Sequence, residues 1–155
     1  MSSVHSWNAE ISVKAGTTTV ATSTAEYLAT YWSATNTVAL MNTTTNYSKF
    51  AGVVQAGGYA SASGGSVRIS PFGYSKVKFS GANTATAIGD YVSFDTDTTT
   101  SWGTLRVQAR TVSDLTSGSA YILGQIQGIS AGTGTVSQVF INPSFSQAIT
   151  TTVTS

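Results

Sequence analysis

"FAGVVQAGGYASASGGSVRISPFG" occupies residues 50–73, and "ILGQIQGISAGTGTVSQVFINP" occupies residues 122–143. In each, apolar residues meet a glycine, a β-type run follows, and a stretch of small residues leads into a second run. Each copy reads as strand, glycine-rich turn, strand. Gly52 answers to Gly124, and Gln55 to Gln127 at the same spacing. Val67 answers to Val136 three residues out of step, a change that a surface loop absorbs. A pseudo-repeat inside one closed sheet explains the phrase; the alternative is chance similarity between two glycine-rich hairpins.

The rest of the chain speaks the same language. "TLRVQAR" sets Leu105, Val107 and Ala109 against Arg106, Gln108 and Arg110. "YVSFDTD" sets Val92 and Phe94 against Ser93 and Asp95, while "SVRIS" and "KVKFS" put Val67 with Ile69 and Val77 with Phe79. Clusters of Gly, Asn, Asp and Ser separate these runs. About ten short strands at this spacing predict a barrel or a sandwich. One short helix is expected at "STAEYLATYW", where Ser23 and Glu26 form a capping-box pattern ahead of Tyr27, Leu28, Tyr31 and Trp32.

The ends read differently. Residues 1–22 are thin in apolar content, which predicts an extended N-terminal arm beside a barrel domain at 23–143 and a tail at 144–155. Trp7, Ile11, Val13 and Val20 then become the candidate partner-binding residues, since an arm has no core of its own to receive them. A β-prone terminus needs a cover, and strand addition to a neighbour's sheet edge is the expected mode.

Composition bounds the function. The 155 residues fit one domain with a real core, and 41% of them are apolar. Only 8% are charged, against roughly 25% in ordinary globular proteins. The 49 Ser and Thr residues must cover much of the surface. A net charge of +1 offers little repulsion to keep copies apart, and it supplies no basic stripe for nucleic acid. The chain has no cysteine, hence no disulfide framework and no thiolate metal site. The first residues, "MSSVHSWNAE", have neither a basic start nor an apolar core for Sec export. No apolar run is long enough for a membrane-spanning helix.

Catalytic chemistry is hard to find. His5 is the single histidine and stands in the arm. Asp95 and Asp97 in "DTDTTTSWG" lack the glutamate of a calcium loop, and turn-forming aspartates are the simpler reading. There is no GxSxG, Walker loop or HExxH. Neither an enzyme nor a cofactor is expected. The aromatic residues, among them Trp7, Trp32 and Trp102, suit core packing, an interface or sugar stacking.

The order of these motifs, "TVALMN", "FAGVVQAGG", "GGSVRISPFGYSKVKFSG", "TAIGDYVSFD" and "YILGQIQGISAGTGTVSQVFIN", resembles a family of small tailed-phage head proteins once misannotated as recombinases. The resemblance spans residues 36–143, about 70% of the chain, and "AIGDYVSFD" with the paired Gly52 and Gly124 carries most of it. Two features depart from it: the N-terminal 35 residues exceed the family's compact core, and the charge content is unusually low. The resemblance implies a capsid decoration, or cement, protein with a small β-barrel or β-tulip fold. Such a protein forms a homotrimer and sits on the outer surface of the expanded virion head. It clamps adjacent major capsid proteins and involves no nucleic acid, membrane, small-molecule substrate or cofactor. The competing expectation is a carbohydrate-binding or adhesin-type β-sandwich.

Overall fold

Alternation of β-branched and aromatic residues with Ser, Lys and Arg favours strands, and the computed structural model is all-β, with ten strands among the described residues. It describes residues 8–16, 23–42, 46, 49–60, 62–79, 88–94, 105–108, 120–128, 136–142 and 148–149. The strands are β1 (Asn8–Ala15), β2 (Ala29–Ala34), β3 (Thr37–Leu40), β4 (Phe50–Val54) and β5 (Ser66–Lys78). They continue as β6 (Tyr91–Phe94), β7 (Leu105–Gln108), β8 (Ala120–Gly128), β9 (Val136–Ile141) and β10 (Ala148–Ile149). The sheet runs β1-β3-β2-β4-β5-β9-β8-β6-β7, with β10 on β8. Because β1 also pairs with β5, the first five strands close into a barrel. From it β9, β8, β6 and β7 extend as a wing.

Two expectations change here. The stretch assigned to an arm contains the strand that closes the barrel. β1 pairs antiparallel with β5 from Asn8↔Gly73 to Lys14↔Ser66, and parallel with β3 at Lys14↔Thr37 and Ala15↔Val38. Its apolar content looked thin because only Val13 and Ala15 are buried, while residues 9–12 and 14 are exposed. In the stretch assigned to a tail, β10 likewise joins the sheet through Ala148↔Tyr121 and Ile149↔Ala120.

The helix at 23–32 contracts to a 3-10 turn at Ser23–Ala25, and Ala29 already begins β2. The capping box does not form its helix because its glutamate is engaged elsewhere. Glu26 Oε1 accepts the Gly57 N–H at 2.7 Å, across the barrel end. Tyr27 then adopts φ 63°, which a helix cannot continue through. Thr30, Tyr31 and Trp32 are better strand formers than helix formers.

Two cores result. The first fills the barrel with Val13, Val38, Leu40, Ala51, Val54, Val67 and Ile69, and is plugged by Ala25, Leu28 and Ala60. The second gathers Val77, Phe79, Val92, Leu123, Ile126, Val139 and Ile141 with Ala29, Met41 and Val53. Strand β4 therefore serves both: Val54 faces the first core and Val53 the second, and both are fully buried. That is why "FAGVV" reads as a continuous apolar run while "SVRIS" alternates.

The pseudo-repeat proves larger than its two quoted hairpins. Thr30↔Gly52 and Tyr31↔Phe50 recur as Val92↔Gly124 and Ser93↔Ile122, with a register shift at the same step in each pair. Thr30↔Leu40 and Trp32↔Val38 recur as Val92↔Val107 and Phe94↔Leu105. Val54↔Ile69 recurs as Ile126↔Val139. Even the closing strand returns: Val13↔Val67 and Lys14↔Ser66 recur as Val77↔Ser137 and Lys78↔Val136. The chain is thus a tandem of two five-strand units, 8–70 and 73–141. They share the long strand β5, whose Gly73, at φ 91°, lies at the join. These pairings correct the repeat's alignment: Val136 answers to Ser66, so the second strand is two residues out of step, not three.

Candidate binding face

Along the second half of β5, inward and outward residues separate cleanly. Ser75 and Val77 are buried, while Phe72, Tyr74, Lys76 and Lys78 form the opposite row. Register brings β9 and β8 alongside: Tyr74 lies opposite Phe140, Lys76 opposite Gln138, and Gln125 opposite Phe140 from the other side. The Phe140 ring meets Phe72 edge-on at 5.7 Å and 72°, and Tyr74 at 5.1 Å and 66°. Such T-shaped pairs add about 0.5–1.5 kcal/mol each beyond area burial. Phe72 remains 38% exposed, and Tyr74, Phe140 and Gln125 are half-buried. The result is an aromatic ridge edged by amides and two lysines on the outer face of the wing.

Polar groups beneath this face are satisfied. Gln55 Nε2 donates to Val53 O at 2.8 Å and to Ser75 Oγ at 3.0 Å, tying the barrel to the wing. Electrostatics at the other end of β5 are weak: Arg68 and Glu10 pair at 3.4 Å, both well exposed, which adds little to stability. An open cleft of about 430 Å3 at the barrel end is lined by Ser12, Val13, Lys14, Asn36, Gly64 and Ser66. Its lining offers one lysine and no carboxylate or imidazole to act as a base. Among the described residues no three His, Asp or Glu side chains cluster as metal ligands.

Of the four candidate partner-binding residues, the structure describes Ile11 and Val13, and they differ in exposure. Ile11 lies opposite Ile69 and is 39% exposed. Val13 is 8% exposed and packs in the barrel's own core opposite Val67, so it is not available to a partner. Trp7 and Val20 lie outside the described residues, as do His5, Asp95, Asp97 and Trp102. Trp32 packs against the barrel core. The ridge residues were missed, although a signal existed. In "SPFGYSKVKFS" the residues alternating with Val77 and Phe79 are aromatic as well as basic, which is unusual for a solvated face.

No family model and no curated protein matches the chain.

Proposed function

We propose that this protein is a capsid decoration protein that binds the outer surface of a phage head and strengthens contacts between major capsid proteins. The observation that carries the proposal is the motif order of residues 36–143, above all "AIGDYVSFD" with Gly52 and Gly124. The backbone gives those motif residues physical work. Gly89 holds φ 86° ahead of β6, and Gly52 and Gly124 sit at equivalent close approaches of neighbouring strands. A closed barrel with few charges and a broad outer face suits a protein that works by adhering. The aromatic ridge also suits the competing reading, a carbohydrate-binding module.

The test is binding of the purified full chain to expanded, undecorated heads, with a glycan array run in parallel. Saturable binding to heads that raises their resistance to heat supports decoration. Array binding without head binding transfers the protein to the carbohydrate class. Deleting residues 1–22 would remove β1 and open the barrel, so the terminus is tested by deleting residues 1–7 alone. An arm contact of value weakens head binding at least about tenfold, or about 1.4 kcal/mol.

A further inference from the structure

From the side chains on the outer face of the second unit we infer that this protein binds an acidic polysaccharide across the second half of β5 and the strands β9 and β8. The inference rests on the carbohydrate reading of the aromatic ridge, and it holds whether or not the protein also decorates a head. Register sets Gln125, Phe140 and Tyr74 in one row across β8, β9 and β5, with Gln138 beside Lys76 in the next. Phe72 is 38% exposed, and Lys76, Gln127 and Gln138 are exposed as well.

The first unit shows what is particular to this face. Ser12↔Arg68 corresponds to Lys76↔Gln138, Lys14↔Ser66 to Lys78↔Val136, and Ser70 to Phe140. By the same count along the strand, Glu10 answers to Tyr74. The first unit therefore carries Lys14, Arg68 and Glu10 here, with Arg68 and Glu10 ion-paired. The second carries Lys76 and Lys78, and among the described residues no carboxylate stands beside them. Glu26 accepts the Gly57 N–H at the barrel end, and Asp90 lies beside the inward-facing Ile126. In a chain only 8% charged, this face has exchanged an acid for an aromatic ring and a serine for a lysine.

An acidic sugar chain uses all three chemistries that meet here. The C–H faces of a pyranose are apolar and pack on aromatic rings. The amides of Gln125, Gln127 and Gln138 both donate to and accept from hydroxyls. The ammonium groups of Lys76 and Lys78 complement a carboxylate or sulfate, which a neutral sugar lacks. A nucleic-acid strand fits less well, since it carries a charge at every nucleotide and stacks its bases in series. Only two described cations serve this face, and Phe140 stands edge-on to Phe72 and Tyr74, at 72° and 66°, with no coplanar run of rings.

Calorimetric titration of the full chain with polygalacturonate, which offers carboxylates, and with dextran sulfate tests this without any capsid. Saturable binding to either, weakened by added salt, is expected, and which of the two binds identifies the acidic group. Plain dextran, poly-glutamate and oligothymidylate should bind at least about tenfold more weakly. Phe72→Ala and Lys76→Gln, both at exposed sites, should each weaken binding at least about fivefold, while Lys14→Gln, the same charge change on the first unit, should not. Matched thermal melts separate lost binding from lost folding. Binding to neither acidic polysaccharide, equal binding to poly-glutamate or oligothymidylate, indifference to Phe72→Ala, or an equal loss with Lys14→Gln would each overturn the inference. Dextran bound as tightly as dextran sulfate would also overturn it, yet would leave the carbohydrate reading standing. Because heads are absent from the assay, its failure leaves the decoration reading untouched, and the reverse also holds.

Discussion

The two units share one pattern of strand pairing and fill it with different side chains. In the first, the barrel is small inside: Ala15 and Ala51 line it, and Ala25, Leu28 and Ala60 plug its end. In the second, the positions of Ala15 and Ala51 are taken by Phe79 and Leu123. Volume is supplied by plugs in one unit, and in the other by its own larger residues together with Ala29, Met41 and Val53 of the first unit. The repeat therefore preserves backbone approach and register, while packing has been solved twice.

The largest expected effect follows from that difference. Leu123→Ala should cost about 2–5 kcal/mol, because the second unit has no equivalent plug among the described residues to collapse into the gap. The reciprocal change, Ala51→Leu, should cost about 1–3 kcal/mol by overpacking a barrel that is already full. Urea melts measure both. A loss under about 1 kcal/mol for Leu123→Ala would mean that the two interiors are more alike than their side chains suggest.

Next come the paired glycines. A Cβ at Gly52 would lie 2.9 Å from the Ser70 carbonyl oxygen, and one at Gly124 would collide with the equivalent Phe140 carbonyl oxygen. Both contacts are with backbone, which cannot swing aside as a side chain would. Gly124→Ala should therefore cost about 3 kcal/mol and Gly52→Ala about 1–2 kcal/mol. If the two costs came out in the opposite order, the first unit would hold the tighter strand crossing.

The smallest effect concerns one backbone conformation held in two ways. The Tyr27 N–H donates to Val54 O and the Gly89 N–H to Ile126 O, both at 2.8 Å, and the returning bonds are Val54 N to Leu28 O and Ile126 N to Asp90 O. Tyr27 has φ 63° and Gly89 φ 86°. A tyrosine in this region is strained, whereas a glycine is at ease. Gly89→Ala should cost about 1–2 kcal/mol. Tyr27→Gly should change stability by less than about 1 kcal/mol, since relief of strain offsets the extra freedom of the unfolded chain. A large loss at Tyr27 would show that its side chain, not its backbone, is what the first unit needs.

Much of the fold was legible locally. The alternation in "SVRIS" and "KVKFS" matches the buried Val67, Ile69, Val77 and Phe79. Gly52 and Gly124 stood out because a glycine inside a strand demands a close neighbour. The wider repeat did not stand out, because Ala29 answers to Tyr91 and Ser70 to Phe140, register equivalents with unlike side chains. The candidate face was half legible: Phe72 and Tyr74 are neighbours in sequence, but Phe140 joins them only through β9.

What the sequence determined by itself is the strand content, the apolar side of each alternating run and the glycines at strand crossings. Those follow from side-chain periodicity and from the Cβ that glycine lacks, both properties of single residues and their near neighbours. Only the tertiary structure decided that residues 8–15 close the barrel, that Glu26 leaves its capping box for Gly57, and that Val53 and Val54 serve different cores. Each of these depends on a partner distant in the chain. Local patterning names a strand's faces, but long-range pairing chooses what each face meets.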